Sequence, residues 1–212
     1  MKPDSFGVMP NKPIEVSGTP LVVPPGLVVH PTVRARWVLD ADTVGALDVG
    51  ESVDADVRIE YSVEAGRYEL RALTLSSIAG VGPEITGALL RTVRVQRLLQ
   101  TTALQSLALV DHLASSQAPL SPDLACTPVP AEHLLAHVAV IYRAAEIASD
   151  NPGQAVAEQL GMQRRTAANW IARSRAAGYF DRVISEEAVF DIARAWFLAR
   201  AAQLEEAGHG DD

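Results

Sequence analysis

Residues 155–171 read AVAEQLGMQRRTAANWI, and this segment restricts the fold of the chain more than any other. The apolar positions Val156, Leu160, Ala167, Trp170 and Ile171 recur at helical spacing on both sides of Gly161. Glycine adopts backbone angles that other residues resist, so Gly161 marks a turn between two helices. Two helices crossing over a turn of about three to four residues must approach closely. Ala157, one turn before the glycine, is small enough to permit that. Val156 and Leu160 face inward from the first helix, Met162 plugs the turn, and Ala167 and Trp170 face inward from the second. The pattern predicts a short helix over 154–160 and another over 163–177, with Gly178 as its C-terminal stop. A preceding apolar helix is expected over 131–149, broken by Asn151-Pro152-Gly153.

Charge separates this segment from the rest of the chain. The 212 residues carry 18 Lys+Arg and 26 Asp+Glu, a formal net charge of -8. That balance excludes a uniformly basic nucleic-acid coat protein, but the field that matters for binding is local. Residues 162–182 hold five arginines (164, 165, 173, 175 and 182) and one acid, Asp181, for a net +4. Residues 1–130 hold ten bases and fourteen acids, and residues 186–212 hold two bases and seven acids. The positive charge is therefore concentrated on the second helix of the pair.

The segment resembles the helix-turn-helix of DNA-binding proteins, over about 22 residues from Gln154 to Arg175. With an upstream β-hairpin, the longer run AVAEQLGMQRRTAANWIARSRAAGYF is similar to actinobacterial and actinophage helix-turn-helix proteins. Gln163 stands where such turns often place a serine or threonine N-cap, so a weaker cap is expected. The resemblance implies that the second helix enters the major groove of double-stranded DNA. Arg164, Arg165, Ala168, Asn169, Ala172 and Arg173 are then expected on the face opposite Ala167, Trp170 and Ile171. Arginine can grip guanine O6 and N7, and asparagine can grip adenine N6 and N7. Arg164, Arg165, Asn169 and Arg173 are the expected base readers. Gln163, Thr166 and Arg175 are expected to position the backbone, and short Ala168 and Ala172 let the helix sit deep.

The remaining chain divides by its prolines. Seven of the 13 fall in residues 1–31, and Pro119, Pro122, Pro128 and Pro130 fall close together. We read 1–25 as an extended arm and 26–114 as a β-rich N-terminal domain ending in a helix. A proline-rich linker follows over 115–130, then a helical helix-turn-helix domain over 131–207 and a frayed tail over 208–212. The class is α+β, with a β-hairpin-containing region and a helix followed by an all-α domain. Short strands are expected at 27–29 and 34–39. Residues 57–63 alternate apolar and polar, residues 64–67 supply a turn, and 68–72 resume the alternation, which is a hairpin signal. Glycines at 80 and 82, followed by Pro83, end the sheet. From Thr86 to about Ser115 the period becomes helical, with Val93 and Val95 predicting one bent helix or two. Arg91, Arg94 and Arg97 follow at three-residue spacing, a basic stripe for phosphate, partner acids or solvent.

Several function classes receive no support. No run of about 18 apolar residues exists, so no membrane contact is expected. The first residues lack a signal-peptide pattern, and the single cysteine, Cys126, has no activating base beside it. These features favour the cytoplasm and argue against an enzyme; no cofactor or metal is expected. His133 and His137, four apart, read as structural histidines because no third ligand is near. Only 2 of the 18 basic residues are lysine, a bias that GC-rich codons produce, pointing to a GC-rich bacterium or its phage. A final helix over 186–206 carries an apolar stripe at Val189, Ile192, Trp196 and Phe197, suited to packing on the three-helix unit or to a homodimer contact. The expected function is sequence-specific DNA binding, as a transcriptional regulator. The rival is a phage or host assembly or recombination accessory protein, with the N-terminal domain contacting a protein partner.

Overall fold

The computed structural model describes residues 13–41, 44, 47–48, 51–77, 82–109 and 131–183. In chain order the elements are β1 (Glu15–Ser17), β2 (Leu21–Val23), β3 (Leu27–Val29), β4 (Thr32–Asp40), β5 (Ser52–Ser62) and β6 (Arg67–Ser77). They continue with α1 (Gly87–Thr92), α2 (Val95–Ser106), β7 (Ala108–Leu109), α3 (Ala131–Ile147), α4 (Pro152–Gln159) and α5 (Arg164–Ala176). Helices and antiparallel sheets make the chain α+β. It divides into two compact units, residues 1–20 with 30–106, and residues 21–29 with 107–212.

The first unit is an antiparallel sheet in the order β1-β4-β5-β6 with α2 laid on one face. The alternation seen at 57–63 extends through all of β5, where Val53, Ala55, Val57 and Ile59 are buried. Their neighbours Val33, Ala35, Trp37 and Leu39 line the same face of β4. Leu99, Thr102, Ala103 and Ser106 present the buried face of α2. One polar contact is sealed into this core: Trp37 Nε1 donates to Thr102 Oγ1 at 3.0 Å. Tyr68 is also fully buried; its hydroxyl donates to the His30 carbonyl and accepts from the His30 amide, each at 3.0 Å. Burial pushes the Tyr68 phenol up from its ordinary range.

The opposite face of the sheet is charged. Arg36 pairs with Asp56, Arg58 with Glu60, and Arg71 with both Glu60 and Glu69. The register slips by one at Arg58/Ile59, leaving Arg71 as an extra residue on β6. A bulge and charges on an outer strand discourage pairing with another chain.

The helical stretch beginning near Thr86 is two helices, and it stops earlier than its period predicts. Thr86 Oγ1 caps α1 by accepting from the Leu89 amide at 3.2 Å. Val93 takes an extended conformation and separates α1 from α2. The break also divides Arg91 from Arg97, so the three arginines do not form one helical stripe. α2 ends at Ser106, and residues 108–109 become β7 instead of a further helical turn.

The second unit contains the sheet β2-β3-β7 together with α3, α4 and α5. The expectation of an all-α C-terminal domain is corrected accordingly. The physical reason lies in β3, whose Leu27, Val28 and Val29 are fully buried and whose backbone must be paired on both sides. β2 supplies one neighbour and β7 the other. Within 13–25, read from sequence as an extended arm, β1 pairs with β4 and β2 pairs with β3. The linker 115–130 with Cys126, the final helix 186–206 and the tail 208–212 lie outside the described residues.

Thr102→Val keeps the side-chain shape but leaves a buried indole N–H unpaired. It is expected to cost about 1–3 kcal/mol, read as a lower urea midpoint at unchanged slope. Thr102→Ser, which keeps the acceptor, is expected to recover most of that loss.

Candidate nucleic-acid interface

Three helices meet through small residues. Val138, Ile141 and Ala145 of α3, Ala155, Val156 and Ala157 of α4, and Ala167 and Ile171 of α5 form one buried cluster. Leu134, Tyr142, Leu160, Met162, Trp170 and Phe180 pack around it. Alanine at 145, 155, 157 and 167 lets the backbones approach closely, as the sequence pattern at Ala157 and Ala167 requires. Met162 and Trp170 occupy the turn and inner face expected of them.

The ends of these helices are closed locally. Asn151 Oδ1 accepts from the Gln154 amide at 3.2 Å, and Pro152 opens α4. At the other end the Gly161 amide donates to the Glu158 carbonyl, and the Met162 amide to the Ala157 carbonyl. This paired closure needs a left-handed residue, and Gly161 has φ 59°. The same closure ends α5, where Gly178 (φ 74°) donates to Arg175 and Tyr179 to Ser174. It also ends α3, with Ser149 at φ 58° in the glycine's place. Gln163 caps α5 without a side-chain hydrogen bond, as expected. Ser174, fully buried, donates from Oγ to the Leu135 carbonyl at 2.7 Å and ties α5 to α3.

With Ala167, Trp170, Ile171 and Ser174 turned inward, the helical period centres Arg165, Asn169 and Ala172 on the outer face, with Ala168 and Arg173 on either side of them. All five are exposed. The side chains of Arg165 and Asn169 form no hydrogen bond or ion pair with a described residue. Gln163 and Thr166 are exposed at the start of the helix.

The arginines at 164, 173, 175 and 182 each have a partner of their own. Arg164 Nη2 donates to Gln154 Oε1 at 2.9 Å, and Gln154 Nε2 donates to Glu158 Oε1 at 2.6 Å. This chain links the first turn of α5 to α4. Arg173 lies 4.2 Å over the Trp170 ring. Arg175 lies 5.2 Å from both Tyr142 and Phe180, whose rings meet edge to face. Arg182 stacks on Tyr179 at 3.7 Å. Each of these cations lies on an aromatic face, a contact worth about 0.5–1 kcal/mol at an exposed site. Sequence reasoning missed the grip of Gln154 on Arg164. The i,i+4 spacing of Gln154 and Glu158 is the signal that shows the pair.

His137 on α3 has its Nδ1 buried with no hydrogen-bond partner, and burial lowers the imidazole to about 4. No helix among the described residues is long and apolar enough to cross a membrane. No protein-family model matches this chain, and no curated protein or solved structure matches it.

The His137 shift predicts a pH dependence. Its folded value, about 4, lies below the unfolded value of 6.5, so the unfolded state binds more protons between them. The stabilisation is complete above pH 6.5 and is lost as pH falls towards 4. The loss is expected to reach no more than about 3 kcal/mol. Urea titrations followed by circular dichroism across that window should show it, and His137→Leu should flatten it.

Proposed function

We propose that α5 reads duplex DNA in the major groove and that the chain is a sequence-specific, cytoplasmic transcriptional regulator acting as a homodimer. One observation carries this reading. α5 is fixed on one side by Ala167, Ile171 and the Ser174 bond, while its outer face presents Arg165 and Asn169 between short alanines. Base readout needs long donors on a rigid helix with small residues between them, so that the backbone can approach the base edges. Arg165 is the bidentate reader of guanine and Asn169 the reader of adenine. Thr166 and Gln163, at the helix start, and Arg173 and Arg175, on the flanks, hold phosphates. The short turn over residues 160–163 and the concentration of positive charge on 162–182 support the same assignment. A homodimer doubles an interface that one module alone keeps small.

Selection of duplexes from a randomised pool, followed by polarisation titration, tests this. The wild-type chain should enrich a defined site. Arg165→Ala should weaken binding to it by about 1–3 kcal/mol, roughly 5- to 150-fold, and relax preference at one base pair. Failure to retain any duplex at low salt would overturn the reading in favour of a protein-binding adaptor.

A further inference from the structure

The elbow between α1 and α2 carries positive charge that its neighbours in sequence do not neutralise. Residues 85–110 contain Arg91, Arg94 and Arg97 and no aspartate or glutamate. Arg91 lies in the last turn of α1, Arg94 in the break, and Arg97 in the first turn of α2, and all three are exposed. No acidic residue stands in the first turn of α2, so the positive end of that helix adds to their field. On the sheet of the same unit, Arg36, Arg58 and Arg71 are paired with carboxylates. The side chains of Arg91 and Arg94 form no hydrogen bond or ion pair with a described residue.

An anion partner follows from charge, and a polyanion from the arrangement of the cations. A chain of net charge -8 has no bulk attraction for nucleic acid, so its phosphate contacts must come from local clusters. α5 supplies one such cluster, in which Arg164 bonds Gln154 and Arg173 and Arg175 lie on aromatic rings, and the elbow supplies another. We infer that the α1–α2 elbow contacts the phosphate backbone of duplex DNA through Arg91 and Arg94, adding affinity that is independent of base sequence. The choice of DNA as the polyanion rests on the reading of α5 given above.

The test is the salt dependence of binding by the full chain to a selected duplex of roughly 30 base pairs, between about 50 and about 200 mM salt. Each phosphate contact contributes about 0.9 to the slope of log affinity against log salt. Arg91→Ala with Arg94→Ala should therefore lower the slope by about 1.8 while leaving the preferred sequence unchanged. Arg91→Lys with Arg94→Lys should keep the wild-type slope, because charge and not fold is at stake. Arg165→Ala should relax sequence preference, and the elbow double variant should lose the same slope in that background. An unchanged slope in the alanine double variant, with the Arg165 effect intact, overturns the elbow assignment alone. A lowered slope with no Arg165 effect leaves the elbow standing and overturns the reading of α5. Poly-glutamate binding as tight as duplex binding, lost in the alanine double variant, marks a surface for acidic protein and overturns the assignment to DNA.

Discussion

The close approach of α3, α4 and α5 is the constraint on which the candidate interface depends. Alanines at 145, 155, 157 and 167 remove the bulk that would hold the helices apart. Once the backbones are that near, the inner face of α5 is used up by packing and by the Ser174 bond to Leu135. A helix has about 3.6 residues per turn, so the positions left outside are set with no further choice. Arg165, Ala168, Asn169 and Ala172 are outward because Ala167 and Ile171 are inward. A larger residue at any of these alanines would shift α5 and re-aim the whole face.

Aromatic rings organise the flanks of that face. Trp170, Tyr142, Phe180 and Tyr179 each receive an arginine, and three of these rings also pack at the edge of the core or support one another. The cost of ordering a long arginine is thus met partly by contacts that already exist in the folded unit. The two arginine populations differ as a result. Arg164, Arg173 and Arg175 are oriented before any ligand arrives, whereas Arg165 projects without a described partner. In the elbow of the first unit, Arg91 and Arg94 are cations of the second kind, on a backbone broken at Val93.

Much of the architecture was legible because local patterns and tertiary demands agree. The alternation at 57–63 belongs to a strand buried on one face, and the sheet continues it through Ser52–Ser62. Leu27–Val29 is a strand in both readings, and Val93 interrupts the helix as its β-branched side chain suggested. The failures concern strand pairing. The helical period from Thr86 was followed past Ser106, but residues 108–109 pair with β3, whose buried backbone needs a neighbour. Residues 13–25 looked extended and unattached, yet Val16 and Val22 pair with Val33 and Val28 across sheet registers. Partners far apart in sequence, as in β1–β4 and β3–β7, leave no local periodic trace, whereas β2 and β3 are neighbours whose hairpin turn at Pro24-Pro25-Gly26 was passed over.

By itself, the sequence determined the turn at Gly161, the small residues inside it, the stop at Gly178 and the concentration of arginine on one helix. Those features depend on backbone angles, side-chain volume and charge, all of which are properties of residues near one another in the chain. Only the tertiary structure decided which arginines are held and which project. For Arg164 and Arg175 that choice turns on Gln154 and Tyr142, which lie on other helices, whereas Arg173 meets Trp170 three residues away on its own helix. The same holds for the small sheet, in which β7 pairs with β3 because unpaired buried backbone is costly wherever in the chain its partner lies.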